Sequence, residues 1–258
     1  MSEADRPERD HHAVVALLWG SEERASRGPK PGLTLHQIAR AGIAIADAEG
    51  LNALSMRAIA ERLGFTTMSL YRYVPDKTAL LAVMIDTAIG EPTPSSTSDR
   101  AWRPELAAWA RQNWDLFHRH PWLMQAEVPG TMTGPHQIAW IEAGLEILAG
   151  TGLPGGEMME IVLFLYGYVH GMAHLSLTWM RHDPLAWESS SLLMQRIAHD
   201  PRFPLFRANL AAGVSDETDD AATSVDPMGE SFEFGLQRAL DGIEAYTRQR
   251  TDPAPGGP

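Results

Sequence analysis

The 258-residue chain has no cysteine. Disulfides and thiol chemistry are therefore excluded, and a reducing compartment suits the protein. Its first ten residues, MSEADRPERD, are acidic and carry no apolar run, so no secretory signal is expected and a cytoplasmic location is. No nucleophile elbow, catalytic carboxylate pair or phosphate-binding glycine loop is present, which leaves little for an enzyme to work with. No cofactor is expected either. Positive charge is scarce as well: 21 Lys and Arg face 33 Asp and Glu, for a net charge of −12.

That deficit is uneven. From Arg24 to Lys77 eight basic residues outnumber four acidic ones, a balance of +4, whereas from residue 91 onward the balance is −11. Screening over roughly 10 Å makes the local patch, not the total, the quantity a polyanion feels. An acidic body would repel non-specific DNA and leave a basic head to bind.

The basic stretch contains LSMRAIAERLGFTTMSLYRYVPDK, Leu54 to Lys77, two short helical patterns joined by a tight turn. Ser55 is placed to cap the first, whose Ile59, Ala60 and Leu63 form an apolar stripe. Gly64 falls where a left-handed residue ends a helix. Thr66 caps the second, with Phe65 and Leu70 at the positions of a hydrophobic staple. Leu70 and Val74 face inward, which leaves Thr67, Met68, Ser69, Tyr71, Arg72 and Tyr73 pointing mostly outward. Small polar residues at a helix start, with tyrosine hydroxyls and an arginine behind, suit a DNA major groove. The alternative is a helical hairpin packed inside some other all-α protein.

Around this stretch, residues 1–32 read as a flexible, irregular arm: an apolar patch, Ala13–Gly20, then SEERASRGPKPG. Arg24, Arg27 and Lys30 among glycine and proline could lie along a minor groove, or form a solubilising tail. Thr34 caps a first helix lined by Ile38, Ala41, Ile45 and Ala48 and ended by Gly50. Arg57 faces the same side as the second short helix; it either contacts nucleic acid or pairs with Glu61 four residues on. Asp76 is the expected cap of a further helix, with Lys77 in its first turn.

Taken together, AIADAEG (Ala44–Gly50), LSMRAIAERLG (Leu54–Gly64), FTTMSLYRYV (Phe65–Val74) and DKTALL (Asp76–Leu81) resemble the DNA-binding domain of the TetR family of bacterial regulators over residues 33–89. Met68 and Pro75 depart from the commonest version and bear on which bases are read. The resemblance implies a homodimeric repressor with a three-helix head and a helical ligand-binding body. It also implies a base contact for Arg57 and a phosphate-clamping role for Lys77. The expected DNA-binding set is thus Ser55, Arg57, Thr66, Thr67, Met68, Ser69, Tyr71, Arg72, Tyr73 and Lys77, with Arg27 and Lys30 from the arm.

The fold class expected is all-α: a helix-turn-helix domain over residues 33–90, a ligand-binding and dimerisation domain over 91–250 and a disordered tail over 251–258. GEPTPSSTSD (Gly90–Asp99) is the break between them. In the body, Trp102, Leu106, Trp109, Asn113, Trp114 and Phe117 repeat at helical spacing. HRHPWLMQAEV (His118–Val128) enters a short helix through Pro121, and Pro135 opens another with Ile138, Ile141, Leu145 and Leu148 as its buried stripe. The next helix, from about Gly155, has twenty residues without formal charge from Ile161 to Met180. That length could span a bilayer, but the segment carries His170 and His174, lacks basic flanks and stands alone. A soluble helix this apolar is covered on both sides, by the body's own core and by a second copy of the chain. Val214–Ser231, with six acids and no base, reads as a mobile loop. The final helix places Phe232, Leu236, Ala239, Leu240, Ile243 and Tyr246 on one stripe. From His118 onward the body resembles the branch of the family named for the tetracycline repressor, in which the long and last helices pair with their mates.

Trp114, Phe117, His118, Trp122, Met124, Trp140, Tyr166, His170 and His174 are the expected lining of an apolar cavity for a hydrophobic, aromatic effector. The alternative for each is plain core packing. His170 and His174 could hold a metal with His118 or His136 as third ligand, but hydrogen-bonded pocket histidines are favoured and no metal is expected. A DNA-binding activator, or a constitutive regulator without a working pocket, remains the competing reading.

Overall fold

The computed structural model describes residues 5–20, 32–93, 101–126, 134–180, 184–209 and 227–251, and among these there is helix but no strand. The principal helices among the described residues are α1 (Asp5–Trp19), α2 (Leu35–Glu49), α3 (Met56–Leu63), α4 (Thr67–Tyr71), α5 (Lys77–Ile89), α6 (Trp102–Arg119), α7 (Pro135–Leu148), α8 (Gly155–Met180), α9 (Pro184–His199) and α10 (Pro227–Thr251). Short 3-10 turns occupy Leu51–Ala53, Pro121–Gln125 and Ala149–Thr151. Two compact units result: Met1–His170 with Leu236–Pro258, and Gly171–Gly235. The fold is all-α, a helix-turn-helix head followed by a larger helical body.

The N-terminal arm is not irregular throughout. Asp5–Trp19 forms α1, which packs on α5. Its polar first half hides the signal; Val14 and Leu18, one turn apart, are buried in the head's core. Burying two such side chains contributes about 1.5–3 kcal/mol each, enough to order a helix whose composition alone is indifferent. Arg24, Arg27 and Lys30 lie outside the described residues, as do residues 94–100 of the linker.

In α2 the Thr34 hydroxyl accepts from the Gln37 amide at 3.1 Å, and the Gln37 side chain returns to the Thr34 amide at 2.8 Å. Ile38, Ala41 and Ile45 are buried as the periodicity requires. Ala48 is exposed; Ala39, Gly42 and Ala46 take up the inward face instead, because α5 crosses there and Met84 sits over Gly42.

In the body, α6 buries Leu106, Trp109, Asn113, Trp114 and Phe117. The buried stripe of α7 is Trp140, Gly144 and Leu148; of the stripe expected, Leu148 is buried, Ile141 and Leu145 are half-buried and Ile138 is 42 % exposed. Two anchors set that register. The Trp109 indole donates to the Trp140 carbonyl at 3.0 Å, and Gly144 lies where a side chain would meet Val162 of α8.

Over Gly155–Trp179, α8 is long and apolar enough to cross a membrane. One face, through Ile161, Val162, Leu165 and Val169, is buried within the chain; Leu163, Phe164 and Gly167 are exposed in the single protomer. On α10, Leu236, Leu240 and Ile243 are buried, while Tyr246 faces out. Arg103 of α6 fastens α10 by reaching Glu244 at 2.9 Å, Asp241 at 2.6 Å and Gln237 at 3.3 Å. In the second unit α9 begins at Pro184, since proline fits a first helical turn.

Candidate DNA interface and effector site

The turn between α3 and α4 is built from its caps. Ser55 Oγ accepts from the Ala58 amide at 3.1 Å and opens α3. Gly64 closes it with φ 72° and ψ 28°, a left-handed conformation that costs a side-chain-bearing residue about 1 kcal/mol or more. Thr66 then accepts from the Ser69 amide at 3.3 Å and shares a 2.9 Å hydroxyl contact with Ser69. Both hydroxyls thus hold the helix start in shape. Leu70 and Val74 are fully buried, which fixes the rotation of α4.

That rotation turns Met68, Tyr71 and Arg72 to solvent; Met68 is 74 % exposed and Tyr71 45 %. Thr67, Ser69 and Tyr73 are half-buried, and Tyr73 packs against the head core, so it presents an edge rather than a free side chain. The helix proper is only five residues, ending at Tyr71 with Arg72 as C-cap. Arg57 pairs with Glu61 at 2.7 Å; both are highly exposed, so the bridge is weak and a phosphate can displace it. Lys77 is exposed at the start of α5, where Asp76 caps the Ala79 amide at 2.8 Å.

The expected ligand residues separate into two groups. In the first, Phe117, Tyr166 and His170 come together, and Trp114 and His118 pair one turn apart on α6. The Trp114 and His118 rings lie 4.2 Å apart, and Phe117 meets His170 edge-on at 5.5 Å and Tyr166 at 6.3 Å. His118 donates from Nδ1 to the Trp114 carbonyl at 2.9 Å, which leaves Nε2 as the ring's other polar atom. Burial pushes the Tyr166 phenol above its ordinary value of 10.0 although 42 % of the residue is exposed, and the hydroxyl is neutral at physiological pH either way. This half-exposed aromatic group with histidine and phenol edges can stack a flat apolar ring and hydrogen-bond its substituents.

Trp122 and Trp140 are elsewhere. Trp122 is 2 % exposed, belongs to the head's core cluster, and donates its indole N–H to Asp47 of α2 at 2.7 Å. Trp140 donates to the Gly90 carbonyl at the end of α5 at 3.0 Å. Both are struts between body and head. Met124 is half-buried in the 3-10 turn, and His174 falls in the second unit, exposed on α8. Among the described residues no three His, Asp or Glu are grouped to hold a metal, and His136 is committed to Asp86 at 2.8 Å. A hollow of about 860 Å³ between α6, α7 and the linker is lined by Trp102, Trp109 and Glu146 among others, and includes none of the expected ligand residues.

Sequence reasoning missed the head–body contacts. Asp47 accepts from His120 Nδ1 at 2.8 Å as well as from Trp122. Asp86 accepts from the His136 amide at 3.0 Å and from its ring. The HPW run was visible as a motif, but nothing local names its partner.

A capped recognition-type helix on a basic head, joined to an aromatic-bearing helical body, defines a helix-turn-helix regulator. Residues 93–247 match the family described as tetracyclin repressor-like, C-terminal domain, and residues 38–84 match bacterial regulatory proteins, tetR family. The chain belongs to the TetR family. It is 37% identical over 246 residues to the HTH-type transcriptional repressor DrrR1 of Streptomyces coeruleorubidus, covering 92% of this chain and 87% of that one. Apo ActR of Streptomyces coelicolor shares the fold with a TM-score of 0.68 at 25% identity, over 86% of this chain and 100% of ActR. ActR in complex with (S)-DNPA gives 0.65 at 25% identity, over 85% and 100%. BioQ, solved with its double-stranded DNA operator, shares the fold with a TM-score of 0.53 at 18% identity, over 83% of this chain and 99% of that one. The protein is a transcriptional repressor of this family, with a DNA-binding head and a ligand-binding type of C-terminal domain; its relatives are regulators, not enzymes.

Proposed function

We propose that the protein is a cytoplasmic homodimer that represses transcription from a palindromic operator and is released by a hydrophobic, aromatic effector. The observation that carries this reading is the orientation of α4. Leu70 and Val74 are buried and both helix ends capped, so Met68, Tyr71 and Arg72 form an outward face on the basic head. Met68 and Thr67 then meet base edges, and Arg72, Lys77, Arg57 and the Tyr71 hydroxyl hold phosphates. Thr66, Ser55, Ser69 and Tyr73 keep the helix at its angle, and Arg27 and Lys30 of the arm add charge near the backbone.

The dimer is supported by α8, where Leu163, Phe164 and Gly167 leave an apolar face uncovered in one protomer; Phe164 is 57 % exposed. Covering it with the partner's α8 and α10 puts two heads on one two-fold axis. For the effector, the support is the meeting of Phe117, Tyr166 and His170 and the Trp114–His118 pair on α6, together with the complex of ActR with (S)-DNPA.

A gel shift with the DNA flanking the protein's own gene, with and without a panel of polycyclic aromatic compounds, tests the reading. A retarded band that one compound class abolishes is expected. A band that no compound alters would leave a constitutive regulator, and no band at low salt would remove the DNA-binding claim.

A further inference from the structure

The head is held to the body at two carboxylates, and both are gripped by histidine. On α2, Asp47 Oδ1 accepts from His120 Nδ1 at 2.8 Å and from the Trp122 indole at 2.7 Å. On α5, the nearly buried Asp86 accepts from the His136 amide at 3.0 Å through Oδ1 and from His136 Nδ1 at 2.8 Å through Oδ2. Gly134 makes the second grip possible, since a side chain there would collide with the Asp86 carboxylate. Asp86 thereby serves as an N-cap for α7 supplied from another helix.

These grips differ in what feeds them. His120 follows directly on α6, three residues beyond Phe117 and two beyond His118. His136 sits at the start of α7, whose Trp140 also holds the Gly90 carbonyl. Attachment on two of its helices, from two body helices, sets its angle. A hollow of about 440 Å³ lined by His36, Arg40, Ile43, Thr87 and His120 flanks the Asp47 grip.

We propose that His120 and His136 are positioning residues whose hydrogen bonds to Asp47 and Asp86 set the angle of the DNA-binding head. The angle itself does not rest on the DNA-binding reading; its effect on promoter affinity does.

The absence of cysteine allows a direct test. Spin labels at Thr78→Cys on α5 and Glu142→Cys on α7, with labelled chain diluted into excess unlabelled chain, report the head–body distance by pulsed electron resonance. In the parent a single narrow distribution is expected. His120→Leu and His136→Leu keep volume but lose the donor, and lose the narrow peak; His120→Asn and His136→Asn keep a donor and retain it. Asp47→Ala, which leaves the body untouched, broadens the distribution as His120→Leu does, and combining the two adds nothing further. Circular dichroism checks that each variant is folded, and Asp47→Ala decides the matter if the Leu variants are not. A narrow peak in Asp47→Ala, or Leu and Asn variants that behave alike, overturns the proposal. In the same preparations, affinity for the promoter fragment falls roughly tenfold when the peak is lost, because binding must then restore the angle. No DNA binding by the parent would sink the DNA reading and leave the distance result standing.

Discussion

His136 meets Asp86 twice: its backbone N–H lies 3.0 Å from Oδ1 and its ring Nδ1 2.8 Å from Oδ2, across fifty residues of chain. One side chain of the head thus both caps a body helix and anchors its first turn. Asp86→Ala leaves the His136 amide without its acceptor in a largely buried site, while the ring Nδ1 keeps the residue-86 carbonyl at 3.0 Å, and is expected to cost about 2 kcal/mol in urea unfolding. Asp86→Asn, which keeps an acceptor for the amide, is expected to cost clearly less. Equal losses would mean that charge, not the cap, is what matters.

The outward face of α4 makes different predictions for different residues. Arg72→Ala is expected to weaken binding to all duplexes alike and to reduce the slope of log affinity against log salt by about 1. Met68→Ala is expected to change which sequences are preferred while leaving the salt slope alone. Fluorescence anisotropy with specific and scrambled duplexes at several salt concentrations separates the two.

Arg238 and, to a lesser degree, Arg103 hydrogen-bond to Asp241 and hold its carboxyl below the ordinary 3.8. A lowered carboxylate pKa gives stability that is present above the unfolded value and is lost as pH falls through the folded one. Thermal unfolding of the parent should therefore lose stability below about pH 4, and Arg103→Met should flatten that acid limb. An unchanged limb would show that other carboxylates dominate it.

Nothing lies within 4 Å of the side-chain position of Gly167 in the single protomer. Gly167→Phe is accordingly expected to leave helical content intact while shifting sedimentation from dimer to monomer. A variant that still sediments as a dimer would place the partner elsewhere.

How much of this was legible depends on the distance over which each signal acts. Ser55, Thr66, Thr34 and Asp76 cap their helices with partners three residues away, and Gly64 adopts the left-handed turn its position requires, so the head could be read residue by residue. The body could be read only as helices. Asp47 and His120 are 73 residues apart, and Arg103 and Glu244 are 141 apart, with no local pattern pairing them. For the same reason Trp122 and Trp140 resembled cavity lining: their composition says aromatic, and only the fold shows the indoles spent on Asp47 and Gly90. Helix α1 was hidden because its stability comes from docking Val14 and Leu18, not from its own propensity.

Hydroxyl-radical footprinting on the DNA flanking the protein's own gene tests the central claim most directly. Two protected patches one helical turn apart, about 34 Å, are expected, both lost together in Arg72→Ala at moderate salt. A single patch, or uniform cleavage at low ionic strength, would contradict the picture of twin heads entering successive major grooves.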